Sequence, residues 1–381
     1  MIPAYDIHAI RRTIPALERL VPMNNCSQAP QTVVTRAAAE AYLDSWQRDV
    51  MDWERWMQEV EAARASFARL IGAEANEIAM GSSVSQLTSS LASALSYDRG
   101  RDRVAVTEGE FPTVAQVWRA QERMGARISW VPVRDGVIPM EGYPEALDED
   151  TLLVSACQTY YQSGFKQDLP QIVRMAREVG ALVYVDAYQS LGTEPMNVKA
   201  LDLDFLSSGA LKFLMGIPGI AFLYVKPSVA RTLEPRVTGW FGRENPFSFD
   251  PRDLSWASGA RRFDTGTPPI LEAYVARAGM DLLQEVGLDA IGAWTRELSR
   301  ALVEGGSDRG LHLLGTPNPA RKAPTTAFLV PGDSHEVEIR LRARGIVASA
   351  RGPAIRLAPH FYSTLKDVEV SLTALQEVLD G

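Results

Sequence analysis

The sequence is poor in the residues that form disulfide frameworks and structural metal sites. Its 381 residues include two cysteines and four histidines. Cys26 and Cys157 are far apart without CxxC spacing, and the histidines are scattered along the chain. A disulfide-stapled fold is therefore excluded, and we expect no bound metal.

Long apolar runs and an excess of positive charge are also missing. No stretch approaches the roughly 20 apolar residues of a membrane span, and the first residues, MIPAYDIHAIRRTIPALERL, lack the pattern of a signal peptide. The 39 basic and 47 acidic residues are interleaved and give a formal net charge of −8, so no basic stripe is available to follow a nucleic-acid backbone. We therefore expect a cytoplasmic protein whose partners include neither membrane nor nucleic acid.

Short apolar runs alternate with amphipathic segments over residues 77–225. Helical patterns such as TVAQVWRAQERMG and DLPQIVRMAREVG stand between several of the runs, and each ends in a glycine suited to a C-cap. This alternation predicts an α/β fold, a large doubly wound domain with a mainly parallel sheet. Its strands are predicted at RVAVTEG, ARISWVPV, TLLVSACQTYY, ALVYVDAY, LDFLSSG and GIAFLYV.

A smaller α+β domain is predicted towards the C terminus. There, helical patterns are interleaved with the short runs TTAFLVPG, IVASA and AIRLAP. We divide the chain into an N-terminal segment, residues 1–30, a large α/β domain, residues 31–260, and a small C-terminal α+β domain, residues 261–381.

Ahead of the α/β region, the segment AYLDSWQRDVMDWERWMQEVEAARASFARLIG predicts one long helix. Trp46, Val50, Trp53, Met57 and Val60 recur in it at helical spacing. We interpret this apolar stripe as buried or subunit-facing, and a tryptophan in the substrate pocket is the alternative.

One lysine lies among small and apolar residues, where a lysine is rarely found unless it is paired or chemically reactive. Lys212, in SSGALKFLMG, follows a predicted strand, and desolvation there lowers the pKa of its amine. Asp186 ends the preceding strand at the edge where open α/β sheets bind ligands, and Gln189 follows it. Pyridoxal phosphate needs this set: a carboxylate for its ring nitrogen, a polar partner for its phenolic oxygen and a lysine for the imine. An N-cap role for Asp186 is the alternative.

A phosphate anchor is predicted at NEIAMGSSVSQLTSSLASAL, where a strand end and small polar residues lead into a helix. Backbone N–H groups of the first turn and the helix dipole form an anion site, to which Ser85 adds a hydroxyl. A plain N-cap serine is the alternative.

These segments together resemble the class V aminotransferases, fold type I pyridoxal phosphate enzymes that include cysteine desulfurases and kynureninases. The resemblance is carried by VYVDAYQSLGTEPMNVKALDLDFLSSGALKFLMGIPGIAFLYV, with support from TEGEFPT, TGWFG, RRFDTGTPP and RLAPHFYSTLKDVE, and covers nearly the whole chain. It implies that Lys212 forms the internal aldimine, that Asp186 pairs with the pyridine nitrogen and that Gln189 lies near the phenolic oxygen.

The resemblance also implies contacts that spacing alone does not single out. Phe111 would stack on the ring face, Ser208 would lie near the phosphate, and Thr267 matches a residue supplied across a dimer interface, so we expect a homodimer. The implied cofactor-binding residues are Ser83, Val84, Ser85, Phe111, Asp186, Gln189, Ser208, Lys212 and Thr267.

For the substrate, Arg356 in AIRLAPHFY matches the arginine that grips the substrate carboxylate by a two-point ion pair. Tyr160 and Tyr161 fall where the family presents a residue close to cofactor or substrate, although aromatic packing explains them equally well. Two departures stand out. Leu211 replaces the histidine or tyrosine that often precedes the lysine, and no cysteine follows Cys157, which disfavours persulfide chemistry of the desulfurase kind.

The implied function is that of an enzyme acting on a small-molecule L-α-amino acid, with Lys212 taking the Cα proton and Asp186 keeping the ring an electron sink. An aminotransferase is favoured. A pyridoxal-phosphate-dependent β-lyase, either a C–S lyase or a kynureninase-like hydrolase, is the alternative. A non-catalytic protein that kept the fold is an alternative of another class, whereas a nicotinamide enzyme is disfavoured because no GxGxxG follows a strand.

Overall fold

The computed structural model describes residues 2–97 and 100–381, which build two main sheets and the helices around them. No helix within these residues has both the length and the hydropathy needed to cross a bilayer. The helices are α1 (Ile7–Arg12), α2 (Val33–Asp49), α3 (Trp53–Leu70), α4 (Val84–Ala94), α5 (Pro112–Ala120), α6 (Tyr143–Ala146), α7 (Leu169–Glu178), α8 (Pro227–Ala230), α9 (Ile270–Val286), α10 (Leu288–Asp308), α11 (Ser334–Ala343) and α12 (Leu365–Asp380). The strands are β1 (Val21–Pro22), β2 (Ile78–Gly81), β3 (Arg103–Thr107), β4 (Arg127–Val131), β5 (Thr151–Cys157), β6 (Leu182–Asp186), β7 (Phe205–Gly209), β8 (Ala221–Val225), β9 (His312–Leu314), β10 (Thr326–Leu329), β11 (Ile346–Val347), β12 (Ser349–Arg351) and β13 (Ala354–Leu357).

The larger sheet has seven strands in the order β2-β8-β7-β6-β5-β3-β4. Strands β3 to β7 pair in parallel, whereas β8 is antiparallel to both of its neighbours. Val183 and Val185 enter a hydrophobic cluster on one face of the sheet, and Tyr184 between them enters a cluster on the other. Because both faces are buried, the strands appear in the sequence as continuous apolar runs. The predicted doubly wound, mainly parallel sheet is confirmed.

The register of this sheet brings its polar strand ends together. Cys157 at the end of β5 pairs with Asp186 at the end of β6, and Asp186 pairs with Ser207 in β7. The chain leaves β7 at Gly209 and reaches Lys212 three residues later. The carboxyl edge of the sheet thus gathers an acid and an amine from neighbouring strands.

The smaller sheet is antiparallel throughout, in the order β12-β13-β10-β9, and its inner face packs into a third hydrophobic cluster. The N-terminal segment joins this part of the molecule, because β1 pairs in parallel with β11. The α+β character predicted for the C-terminal part is confirmed. Helix α9 packs on α2 and α3, which precede the main sheet. The division at residues 30 and 260 stays a prediction.

The prediction of one long helix before the sheet was wrong. The segment forms α2 and α3, separated by a turn in which Val50 has a positive φ of 62°. Asp52 begins the second helix, because its side chain accepts a hydrogen bond from Arg55 N. Of the apolar stripe, Val60 is buried in the chain, whereas Trp46 and Val50 are exposed.

Candidate active site

A cavity of about 370 Å³ opens at the carboxyl edge of the larger sheet. Small-molecule sites typically have volumes of about 300–1,000 Å³. Its wall combines the ends of the central strands, the N terminus of α4, the N-terminal segment and one face of the smaller sheet. The predicted site residues in this wall are Ser83, Val84, Ser85, Phe111, Asp186, Gln189, Lys212 and Arg356.

Lys212 projects into the cavity between two aromatic rings. Its Nζ lies 5.4 Å from the ring centroid of Phe111 and 4.2 Å from that of Tyr188. Within residues 2–97 and 100–381, the Nζ makes no hydrogen bond or ion pair. Burial lowers the pKa of Lys212 to about 8, although the negative charge of Asp186 acts in the opposite direction. The amine is therefore more readily deprotonated than an exposed lysine.

Asp186 is a buried carboxylate at the tip of β6. Its Oδ1 accepts a hydrogen bond of 2.8 Å from Tyr188 N, as the N-cap alternative predicts, while no other hydrogen bond reaches the carboxylate from the described residues. Burial raises the pKa of Asp186, and the Tyr188 N–H and the charge of Lys212 oppose that rise. A protonated ring nitrogen from a ligand would supply the missing partner.

Glu110 is a second buried acid behind the cavity, and sequence analysis missed it. Its Oε1 accepts a hydrogen bond of 2.9 Å from Ser155 Oγ, and its Oε2 is buried without a partner. Burial raises the pKa of Glu110 well above its ordinary value, and the negative charge of Asp186 raises it further. Both effects favour the protonated form of Glu110. The available signal was a glutamate directly before Phe111, at the end of an apolar strand.

Gln189 presents an unsatisfied acceptor. Its Nε2 donates to Cys26 O at 3.1 Å, and its buried Oε1 has no partner in the described part of the chain. A ligand hydroxyl at this point of the wall would satisfy the Oε1. Gln189 lines the cavity, and its contact with a phenolic oxygen stays a prediction.

Tyr188 and Gly209 form a contact that sequence analysis did not foresee. Gly209 has no side chain, and an added Cβ there would overlap the Tyr188 hydroxyl. Burial raises the pKa of the phenol above its ordinary value, and the negative charge of Asp186 raises it further. Tyr188 therefore adds a polar group to the cavity wall beside Lys212 that the sequence pattern did not indicate.

The N terminus of α4 points its first turn at the cavity. Ser83 is the N-cap residue, since its Oγ accepts a hydrogen bond of 3.2 Å from Gln86 N. Ser85 is exposed towards the cavity. The N-cap interpretation is confirmed for Ser83, and the phosphate anchor stays a prediction that capping allows, because the remaining first-turn N–H groups can still meet an anion. Ser208 lies apart from the wall, where its Oγ donates to Gly209 O at 3.0 Å.

Arg356, in β13, is buried at 1% exposure and lines the side of the cavity formed by the smaller sheet. Tyr161 also lines the cavity, and its ring centroid lies 5.3 Å from that of Phe111. Tyr160 is buried behind it and its hydroxyl donates to Gln162 Oε1. Thr267 is exposed and lies outside the wall in this single chain. Trp46 and Trp53 are also absent from the wall in this single chain.

Known proteins share both the sequence pattern and the fold. The family model described as aminotransferase class-V matches residues 23–370. An uncharacterized aminotransferase, YcbU, of Bacillus subtilis (strain 168) is 34% identical over 358 residues, which cover 94% of each chain. The kynureninase of Pseudomonas fluorescens is 26% identical over 97% of this chain and 92% of its own. The apo structure of a cysteine desulfurase from Thermococcus onnurineus NA1 superimposes with a TM-score of 0.88 at 24% identity, covering 100% of this chain and 99% of that chain.

The chain therefore belongs to the class V aminotransferase family of pyridoxal-phosphate-dependent enzymes, and its fold is that of fold type I. The cavity fits that cofactor. Asp186 lacks a cation, Gln189 offers an orphaned acceptor, the first turn of α4 faces an anion position and Lys212 has a free amine.

Proposed function

We propose that this enzyme is an aminotransferase for an L-α-amino acid. The observation that carries the proposal is the amine of Lys212, unpaired, of lowered pKa, and set between Phe111, Tyr188 and the tip of β6. A lysine in such surroundings is a nucleophile and a base near neutral pH.

Each residue of the wall has a task in this proposal. When bound, pyridoxal phosphate supplies an electron-withdrawing ring that acidifies the Cα–H bond of the amino acid. Lys212 holds and moves the proton at Cα, and Asp186 holds the proton at the ring nitrogen. Behind it, burial and the charge of Asp186 raise the pKa of Glu110, which disfavours a second negative charge beside Asp186.

Binding and orientation fall to the remaining predicted residues. Phe111 would pack against the ring, and Gln189 would contact its phenolic oxygen. Arg356 orients the substrate carboxylate. Tyr160 stays a predicted neighbour of the substrate, and Tyr161 closes the same side of the cavity. The residues that would hold the phosphate are Ser83, Val84 and Ser85, together with Thr267 from a second chain. Ser208 lies outside the cavity wall in this chain, and its place near the phosphate stays a prediction.

A β-lyase is the second candidate, and the kynureninase relative at 26% identity supports it. A lyase would use the same proton transfer at Cα but would then expel a side-chain group. Lys212, Asp186 and Gln189 serve both reactions, so the products must decide between them.

The test is a visible absorption titration of the purified protein with a panel of L-amino acids, with 2-oxo acid and ammonia assayed in parallel. An aminotransferase loses its cofactor band with one amino acid and regains it when a 2-oxo acid is added. A lyase regains the band unaided while ammonia accumulates. Lys212→Ala should abolish turnover, and the exposed Lys366→Ala should not. Full turnover of Lys212→Ala would overturn the proposal, as would a protein that takes up no cofactor, which would point to a non-catalytic role.

We also propose a cytoplasmic homodimer. Leu43, Trp46 and Val50 are exposed on one side of α2 and the turn that follows, at helical spacing. An exposed apolar surface of this kind marks an interface. The exposed position of Thr267, outside the wall of the cavity, supports its assignment to the site of a neighbouring chain.

A further inference from the structure

Arg351 is a second arginine in the wall of the cavity, and the proposed mechanism leaves it without a task. It ends β12, whose register places Ser349 opposite Arg356 in β13. Side chains two residues apart on a strand share a face, so Arg351 and Arg356 point to the same side of the smaller sheet. The two residues are diagonal neighbours across an antiparallel strand pair, for which the Cα atoms are typically about 7–8 Å apart.

The two guanidinium groups differ in the number of N–H donors that are free to bind a ligand. Of the five N–H donors of Arg356, Nε and one Nη2 donor reach Ser349 Oγ at 3.1 and 2.7 Å. The second Nη2 donor reaches Ser27 Oγ at 3.0 Å, and one Nη1 donor reaches Tyr161 O at 2.7 Å. A single Nη1 donor therefore remains free, so the two-point ion pair predicted for Arg356 would require it to give up one of these contacts.

Arg351, by contrast, is exposed and makes no side-chain hydrogen bond or ion pair with any residue in 2–97 or 100–381. Glu338 accepts a hydrogen bond from the backbone of this strand but forms no ion pair with the described Arg351 side chain. Its Oε2 accepts from Ala350 N and lies 3.5 Å from His335 Nδ1. All five donors of Arg351 are thus available at the cavity.

The charges of the cavity wall also leave Arg351 without an assigned partner. Among the described residues of the wall, the ionisable side chains of ordinary acids and bases are one acid, Asp186, and three bases, Lys212, Arg351 and Arg356, of which Lys212 is assigned to the cofactor. Asp186 serves the ring nitrogen, and Arg356 serves the α-carboxylate of the substrate. The first turn of α4, on the side of the cavity formed by the larger sheet, would hold the phosphate of the cofactor.

We propose that Arg351 binds a second anionic group of the substrate, so that the enzyme prefers a dicarboxylic amino acid, or the dicarboxylic 2-oxo acid that exchanges with it. The inference rests on the proposed function for the identity of the reaction. The second carboxylate lies towards the mouth of the cavity, where the fork of Arg351 donors matches the two oxygens of a carboxylate.

The test uses a pair of unreactive ligands and does not depend on turnover. Glutarate and pentanoate have the same carbon chain and differ by one carboxylate. Their binding to the cofactor-loaded protein is measured by calorimetry at low ionic strength, because salt screens an exposed arginine. Glutarate should bind about tenfold more tightly than pentanoate, as expected for one partly exposed charge-assisted contact.

Arg351→Met should remove this preference while leaving pentanoate affinity unchanged. Arg342→Met makes the same charge change at an exposed position of the same part of the chain, outside the cavity wall, and should keep the preference. Arg351→Lys should keep part of it, because the charge remains while the fork is lost. Equal binding of the two ligands by the unaltered protein would overturn the inference, as would a preference that survives in Arg351→Met.

Turnover then separates this inference from the proposed function. If the enzyme transaminates, the ratio of kcat/KM for glutamate over glutamine should fall about tenfold in Arg351→Met and stay constant in Arg342→Met. A protein that shows no transamination but keeps the Arg351-dependent glutarate preference would defeat the proposed reaction and leave the dicarboxylate site standing.

Discussion

The amine of Lys212 combines a free Nζ with surroundings that disfavour its charge. A pKa of about 8 means that the neutral amine, the nucleophilic form, appears about 2 pH units earlier than in an exposed lysine. Asp186 limits this shift, since its charge favours the ammonium. The apolar neighbours and the acid therefore set the reactivity of the lysine together.

We predict that cofactor attachment to the apoprotein reports this pKa. The rate of covalent attachment of pyridoxal phosphate should rise about tenfold per pH unit below pH 8 and level off above it, because only the neutral amine attacks. Stopped-flow absorbance between pH 6 and 10 measures this rate, and Lys212→Ala is the blank. A rate that climbs steadily to pH 10 would show an ordinary lysine and contradict the burial argument.

Residues at strand tips were predictable, and residues that depend on register were not. Asp186 and Lys212 follow apolar strands, where polar groups must serve a ligand or a cap. Arg351 and Tyr188 belong to the same cavity only because β12 pairs with β13 and because Gly209 leaves room for a phenol. Neither the strand pairing nor the packing of Tyr188 on Gly209 can be inferred from a local sequence pattern.

Among the elements, apolar runs identified the central strands because both faces of the larger sheet are buried. Because these runs are uniformly apolar, they do not show the direction of each strand in the sheet. Nothing in GIAFLYV indicates that β8 runs antiparallel to its neighbours. The three-residue edge strand β9 was missed, because so short a run carries no period. Helical spacing continued across Val50, so the break between α2 and α3 was also missed, although Asp52 could have signalled it.

Three elements near the cavity are tied together by a buried ion pair that only the tertiary structure reveals. Arg64 in α3 donates to Asp264 Oδ2 at 2.8 Å and to Ile78 O at 2.6 Å in β2. Asp264 also accepts from Met80 N at 2.8 Å. Both partners are almost wholly buried. This network fixes β2, and thereby the strand end from which α4 begins.

We predict that Arg64→Met lowers the free energy of unfolding by about 3–5 kcal/mol, because it leaves the Asp264 carboxylate buried without its cation. Urea denaturation measures the loss. The double variant Arg64→Met/Asp264→Asn should recover part of it, since the uncompensated charge is gone. As the control, Arg36→Met breaks the exposed pair with Glu40 on α2 and should cost less than about 1 kcal/mol. Equal losses in the two single variants would refute the role of burial.

At the scale of the whole molecule, an apolar band at the surface includes Trp53, Phe241 and Phe247. The half-buried Trp53 has its ring centroid 6.4 Å from that of Phe241, and Trp46 and Val50, which precede Trp53 in the chain, are exposed. Phe241 in turn lies 6.2 Å from Phe247, which is exposed. A single soluble chain rarely leaves such a band open to water. The subunit-facing interpretation of the helical stripe therefore suits this surface better than burial within the chain.

We predict that Trp46→Glu and Phe247→Glu shift the protein from dimer to monomer in sedimentation velocity, because each places a charge in an apolar interface. Both side chains are exposed in the single chain, so far-UV circular dichroism should not change. Ile339→Glu, at an exposed position on α11, should leave the dimer intact. If Thr267 completes the phosphate site of the neighbouring chain, the monomeric variants must also bind pyridoxal phosphate more weakly, and this loss should be relieved at protein concentrations that restore the dimer. A monomeric variant with unchanged cofactor affinity would show that each chain builds its phosphate site alone.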